Sequence, residues 1–178
     1  LTHHICRKAG LDCALVGNIG YSFARQVAEN PKPLYVAEIS SFQLDDIKKF
    51  RPDIAILTNI TEDHLDRYDY KFENYIASKF RIAINQQKSD HFIYCIDDEI
   101  TMKYISKFNI QSNQLPISMK TELTNGAFIK DGDMYVRTGE EFTSMSVFDF
   151  ALKGKHNQYN TMAACVASSI MDITKDKI

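Results

Sequence analysis

The sequence has little that would tie it to a membrane, a nucleic acid or an oxidising compartment. No apolar run approaches the roughly 18 residues that mark a membrane-spanning helix, and no signal-peptide pattern stands at the start. Neither sign of charge dominates: 21 Lys and Arg against 23 Asp and Glu give a net −2, so there is no electrostatic case for nucleic acid or an anionic membrane. Its 4 cysteines, Cys6, Cys13, Cys95 and Cys165, are scattered, with no CxxC pair and no metal-ligand spacing. They read as reduced packing thiols of a cytoplasmic protein. Repeats and low-complexity segments are absent. What remains is an ordinary globular composition over 178 residues, enough for one domain with a real core and too few for two. The first residues, Leu1-Thr2-His3-His4, lack an initiator Met, and the last, Thr174 to Ile178, are a charged stretch after an amphipathic helix. The expectation is one excised domain, 1–178.

Short apolar runs predict strands at Cys13–Val16, Leu34–Ala37, Ile54–Leu57 and Phe92–Ile96. Between them Tyr21–Glu29, Ser41–Phe50 and Tyr70–Gln87 have helical character, the last with Phe72, Tyr75, Ile76, Lys79, Phe80, Ile82 and Ala83 along one face. Alternating strand and helix predicts an α/β fold: a mostly parallel sheet over residues 13–100, flanked by helices. Later the runs Pro116–Met119, Ala127–Lys130, Met134–Arg137 and Ser144–Val147 are joined by Asn125-Gly126, Asp131-Gly132-Asp133 and Gly139. That hairpin chemistry predicts a small appended antiparallel sheet over 115–150, before a last helix at Asn157–Ile173.

Ligands gather beyond the carboxyl ends of strands in such sheets, and two strands here end in polar clusters. In Glu38-Ile39-Ser40-Ser41-Phe42-Gln43-Leu44, a carboxylate comes directly off an apolar strand. It either meets a cation or donors, or points to solvent beside a helix capped by Ser40 or Ser41. In Thr61-Glu62-Asp63-His64, acids and an imidazole fall within one turn, as a divalent-metal or phosphate site or as a capped, acid-rich helix start. Gly17-Asn18-Ile19-Gly20 is explained by a tight turn, with Asn18 a turn former or a substrate amide. Asn157 and Asn160 lie one turn apart, facing one ligand, or with Asn157 as a helix cap. Lys79 on an apolar helix face is accounted for by snorkelling.

Taken together and in this order, with Lys79 placed 15 residues after His64, the five segments resemble the Mur ligase family. The resemblance runs from Gly17 to Ala164 and is weakest over residues 100–150. It implies the family's central domain and ATP-dependent amide-bond formation. In that chemistry ATP phosphorylates a carboxylate, an amine attacks the acyl phosphate, and magnesium ions bring the anions together. Glu38-Ile39-Ser40-Ser41-Phe42-Gln43-Leu44 and Asp63-His64-Leu65-Asp66-Arg67-Tyr68 are most similar to members that add D-glutamate to UDP-N-acetylmuramoyl-L-alanine. Relatives adding a diamino acid usually have His where Phe42 stands, and folylpolyglutamate synthetases have a glycine-rich stretch after the acid. By resemblance, Glu38 and His64 hold Mg2+. Lys79 matches a lysine carbamoylated by CO₂ that supports the metal, a reaction that needs the neutral amine. Asn157 and Asn160 match residues near the adenine of ATP, and Asn18, Ser40 and Gln43 match positions around the UDP-sugar peptide.

The family's phosphate loop, G-x-x-G-K-[ST], occurs nowhere in this sequence, and Leu1 is expected to fall within the helix that follows it. With the UDP-binding N-terminal domain and the C-terminal domain also outside the chain, the domain alone is expected to be inactive. The catalytic expectation is that Glu38, His64 and Lys79 face one cleft, within about 10 Å of one another. Such an approach requires the chain to turn back between Tyr68 and Phe72. Two alternatives stand beside it: another Mur-family or folylpolyglutamate-type amide ligase, and a non-catalytic nucleotide-binding module.

Overall fold

The structure is a computed structural model that describes residues 1–139 and 141–178. In chain order, α1 (Thr2–Lys8), β1 (Cys13–Gly17), α2 (Phe23–Glu29), β2 (Leu34–Glu38) and the short α3 (Ser41–Asp45) come first. Next are β3 (Ile54–Leu57), α4 (Phe72–Phe80), β4 (His91–Cys95), α5 (Glu99–Tyr104) and β5 (Asn113–Ser118). The last elements are β6 (Gly126–Lys130), β7 (Asp133–Thr138), β8 (Glu141–Ser146) and α6 (Lys155–Ile170). Among the described residues no helix is long and apolar enough to cross a membrane.

The strands form a two-stranded sheet, β1-β2, and a six-stranded sheet in sequential order β3-β4-β5-β6-β7-β8. Pairing is parallel from β3 through β6 and antiparallel from β6 through β8. The expected α/β architecture with parallel strands and flanking helices is what is found, with two corrections. Residues 13–100 do not share one sheet, because β2 pairs only with β1 and β3 only with β4. The antiparallel strands are not a separate sheet either, since they continue the main one beyond β5. Asp131-Gly132 does make the expected hairpin turn, both residues at positive φ and β6 returning antiparallel as β7. Asn125-Gly126 does not. Its Asn125 amide donates to the Gln114 carbonyl, and Gly126 opens β6 parallel to β5.

Helix α6 holds the two sheets together. Residues Met162 to Ser168 are buried without a break, as expected of a helix covered on all sides. Its Met162, Cys165 and Val166 pack with Ile93, Ile117 and Val136 of the large sheet, while Ala164 packs with Ile5, Cys6 and Cys13. All four cysteines are free and buried, as expected of packing thiols. A second core lies under α4, where Ile76, Phe80, Phe92 and Tyr104 meet.

Between β2 and β3 lies an apolar slot of about 480 Å³. Leu34 to Ile39 form one wall and Phe50 to Ile54 the other, with Ile82, Ala167 and Met171 also lining it. Each flanking strand has one hydrogen-bonded neighbour, so the slot is bounded by two unpaired strand edges. This explains why the apolar residues of β2, expected to be buried, are only half-buried.

Gly126 tests the parallel β5–β6 junction. Its φ is +87°, and a Cβ there would lie 1.9 Å from the Pro116 carbonyl oxygen. Backbone cannot yield as a side chain can, and the left-handed conformation adds its own cost. Gly126→Ala is expected to destabilise the fold by at least about 2 kcal/mol, read from the midpoint of denaturant unfolding.

Candidate functional site at the strand ends

The carboxyl end of β2 is built by two close approaches. Gly17, at φ +102°, comes so near β2 that a Cβ would lie 2.2 Å from the Glu38 carbonyl oxygen, so only glycine fits. The next residue uses that proximity: the Asn18 amide N–H donates to the Glu38 carbonyl at 2.7 Å, and its side chain donates to Glu38 Oε1 at 3.2 Å. The turn continues as Tyr21 N–H donates back to the Leu15 carbonyl. The glycines are therefore turn residues, and Asn18 and Glu38, assigned separately in sequence, are one hydrogen-bonded pair. Glu38 is exposed.

Beyond Glu38 the chain enters α3 through a capping box. Ser40 Oγ accepts from the Gln43 amide at 3.3 Å, and the Ser40 amide donates to Gln43 Oε1 at 2.9 Å. Ser40 is the cap, and the Oε1 of Gln43 is occupied by it. Helix α3 stops at Asp45, well short of the expected Phe50. Its released carbonyls are taken by α4 and the turns after it. Ser78 donates to Ser41, Arg81 to Leu44 and Ile47, Asn85 to Lys48 and Phe50, and Gln86 to Pro52.

The end of β3 leads to His64 through irregular chain, so the alternative of a capped, acid-rich helix start at Thr61-Glu62-Asp63-His64 does not hold. His64 adopts the left-handed conformation (φ 50°, ψ 32°) and opens a 3₁₀ turn, Leu65–Arg67. Asp63 holds it, accepting from the His64 amide at 2.8 Å and lying 3.5 Å from Nε2. After Tyr68 come two consecutive left-handed residues, Asp69 and Tyr70. They reverse the chain into α4, which is the turn between Tyr68 and Phe72 that an approach by Lys79 requires.

Aromatic rings connect these pieces. The His64 ring lies 5.0 Å from Phe42, Phe42 stacks on Tyr68 at 6.2 Å, and Tyr68 meets Tyr75 edge-on at 5.3 Å. The Lys79 ammonium sits 5.1 Å from the centre of the Tyr75 ring, and the Arg67 guanidinium 4.6 Å from that of Phe42. Lys79 is half-buried, its stem lying along this apolar line. The sequence reading missed Phe42, Tyr68 and Tyr75 as the connecting stack; an aromatic at each strand-end cluster was the available signal.

Asn157 and Asn160 are in the first turns of α6. The helix cap is Gly154, not Asn157. Asn157 donates instead to the Lys153 carbonyl at 2.8 Å, and Asn160 is exposed. A cavity of about 770 Å³ lies between α3, α4 and residues 107–111 and is lined by none of the expected site residues. No group of three or more His, Cys, Asp or Glu side chains among the described residues could hold a metal ion.

The family model for the Mur ligase middle domain matches residues 1–168. The chain belongs to the Mur ligase family. It is 48% identical over its whole length to the UDP-N-acetylmuramoylalanine–D-glutamate ligase of Christiangramia forsetii, covering 40% of that protein. With the enzyme of the same name from Bacteroides fragilis it shares 44% identity, again over all of this chain and 40% of the relative. The chain thus spans about two fifths of the length of these relatives. Among solved structures, the fold is similar to MurF ligase from Thermotoga maritima in complex with ADP, with a TM-score of 0.66 at 14% identity over 97% of this chain and 43% of that one. A mutant of L. casei FPGS is similar at a TM-score of 0.55 and 11% identity, over 97% of this chain and 56% of that one.

The tie between α4 and α3 gives a direct test. Ser78 is 2% exposed, donates to the Ser41 carbonyl and receives the Tyr68 hydroxyl. Ser78→Ala leaves both groups without that partner, and is expected to cost about 1–3 kcal/mol in equilibrium unfolding, more than an exposed Ser→Ala.

Proposed function

We propose that this chain is the central domain of an ATP-dependent, magnesium-requiring amide ligase of the cytoplasm. Its whole protein joins D-glutamate to UDP-N-acetylmuramoyl-L-alanine through an acyl phosphate, in making the peptidoglycan precursor. The observation carrying this reading is the strand-end arrangement itself. Glu38 closes β2, His64 follows β3, a turn at Asp69 and Tyr70 leads into α4, and His64 and Lys79 stand at opposite ends of the line of rings Phe42, Tyr68 and Tyr75. The relatives' name supports the D-glutamate substrate.

In this reading the chain's residues position and neutralise. Asn18 orients the Glu38 carboxylate, and Phe42 backs the His64 ring. Magnesium takes oxygen ligands and retains waters, which suits Glu38, with His64 as its nitrogen neighbour, but does not suit an ammonium. A carbamate on Lys79 resolves this: the ammonium gives one proton to solvent, and the neutral amine then forms an N–C bond to CO₂ and releases a second proton to solvent, so a cation becomes an anionic oxygen donor. Bound magnesium would offset the charge crowded between the ATP γ-phosphate and the substrate carboxylate. The exposed Asn160 and the neighbouring Asn157 stand for the adenine end of ATP, and Asn18, Ser40 and Gln43 for the UDP-sugar peptide.

The slot between β2 and β3 bears on the phosphate loop. Two unpaired parallel edges with apolar walls suit one further strand, and in the whole protein we assign it to the strand that leads into that loop. Backbone N–H groups and the lysine of such a loop supply most phosphate contacts. Calorimetry of the 178-residue chain with ATP and magnesium is therefore expected to show no low-micromolar binding, whereas the full-length protein binds. Low-micromolar binding by the short chain would put phosphate recognition within it.

In the full-length protein, Glu38→Gln and His64→Ala are each expected to lower turnover at least about 100-fold without unfolding it. Turnover with D-glutamate should exceed that with L-lysine, meso-diaminopimelate or L-alanine. Preference for another amino acid would transfer the assignment to a different ligase. Unaltered activity in both variants would favour a non-catalytic nucleotide-binding module.

A further inference from the structure

Asp97 takes no part in the site described above, yet three elements meet on its carboxylate at the carboxyl end of the large sheet. It follows β4. Its Oδ1 accepts from the Ser118 hydroxyl at 2.7 Å, and its Oδ2 accepts from the Met119 amide and the Tyr159 hydroxyl, each at 2.7 Å. Ser118 and Met119 stand at the exit of β5, and Ser118 Oγ in turn accepts from the Lys120 and Thr121 amides. Partial burial opposes the charge on Asp97, but the donors from Ser118, Tyr159 and Met119, with Lys120 nearby, outweigh it and hold the carboxyl below its ordinary range. Burial and then Asp97 push the Tyr159 hydroxyl well above its ordinary range, so it stays a donor.

Tyr159 is the point at which this cluster reaches α6. That helix is fixed by burial from Met162 onward, but its first turns are half-buried or exposed and its N-cap makes no side-chain hydrogen bond. Among the described residues, Tyr159 to Asp97 is the only hydrogen bond from residues 155–160 to the large sheet or its strand ends. At about 100° per residue, Asn160 lies about 100° around the helix axis from Tyr159, and Asn157 about 160°. With Tyr159 turned to the sheet, both asparagines are directed away from it.

We propose that Asp97 and Tyr159 are positioning residues for nucleotide binding: their hydrogen bond sets the rotation of the first turns of α6 and so presents Asn157 and Asn160 to the nucleotide base. This rests on the reading that those asparagines meet the adenine end of ATP. A hub serving stability alone has a different signature, because it would disturb every substrate together.

The test is steady-state kinetics of the full-length protein carrying Tyr159→Phe, which removes one hydroxyl and keeps the ring in the core. The expected result is a KM for ATP raised three- to tenfold, with kcat and the KM values for the other two substrates within twofold. Adding Asp97→Asn to that variant should raise the KM for ATP little further, since the bond is already gone. Equal loss in all parameters, with a lowered unfolding midpoint, would overturn the inference. Asn160→Ala, measured alongside, tests the underlying reading. A KM for ATP raised by Asn160→Ala and not by Tyr159→Phe sinks the positioning role alone; one raised by neither sinks both.

Discussion

The arrangement of the strand ends depends on how α4 and the turns after it hold the backbone between β2 and β3. Residues 46–53 form no helix or strand, yet they must separate β2 from β3 by a defined distance. Ser78, Arg81, Asn85 and Gln86 supply the restraint, donating to carbonyls at Ser41, Leu44, Ile47, Lys48, Phe50 and Pro52 in turn. Donors spaced by three, four and one residues follow the edge of the helical turns, while the acceptors advance from α3 into the irregular segment after it. Each bond contributes about 1 kcal/mol net, and the most buried of them, Ser78 to the Ser41 carbonyl, is also the one whose acceptor would cost most if left unpaired. Among the described residues no buried side-chain nitrogen or oxygen lacks a partner.

Two features follow from this restraint. The restrained segment ends in Phe50 to Asp53, which line the slot between β2 and β3. The same ladder fixes the end of α4 against α3, with Ser78 donating to Ser41 and Tyr68 reaching Asp45 and Ser78. Phe42, Tyr68 and Tyr75 are stacked as a consequence, and His64 and Lys79 sit at the two ends of that stack.

Much of this was legible from local chemistry. Strands β1 to β4 are short apolar runs, and each falls where its run predicts, because a buried parallel strand needs an apolar residue at nearly every position. Helix lengths were legible only where burial decides them. Ser41 to Phe50 has helical character, but the side chains that end α3 at Asp45 lie almost 40 residues downstream. Asn125-Gly126 carries the strongest local hairpin signal, yet it opens a parallel strand, because Asn125 is spent on the Gln114 carbonyl and Gly126 on clearing Pro116. Helix α5 was not foreseen, although Asp98 caps it by accepting from Thr101. The Asn18–Glu38 pair is likewise invisible in a linear reading, since it arises from the parallel register of Gly17 against Glu38.

On the proposed reading, the absence among the described residues of a three-membered cluster of acids and imidazoles at Glu38 or His64 explains why a lysine is required there. Glu38 is the only carboxylate ending β2, and its partner is an uncharged amide. Asp63 is turned to the backbone and ring of His64. Among the described residues no third acid or imidazole joins Glu38 and His64 to complete a cage. A site that must gather phosphate and carboxylate groups cannot carry many fixed negative charges without repelling its substrates. Nor can it do without an anionic oxygen to hold a hard cation. A half-buried lysine with its stem against Tyr75 meets both demands if its charge is reversible. As an ammonium it adds no repulsion, and as a carbamate it supplies the missing oxygen only where a cation is present to stabilise it.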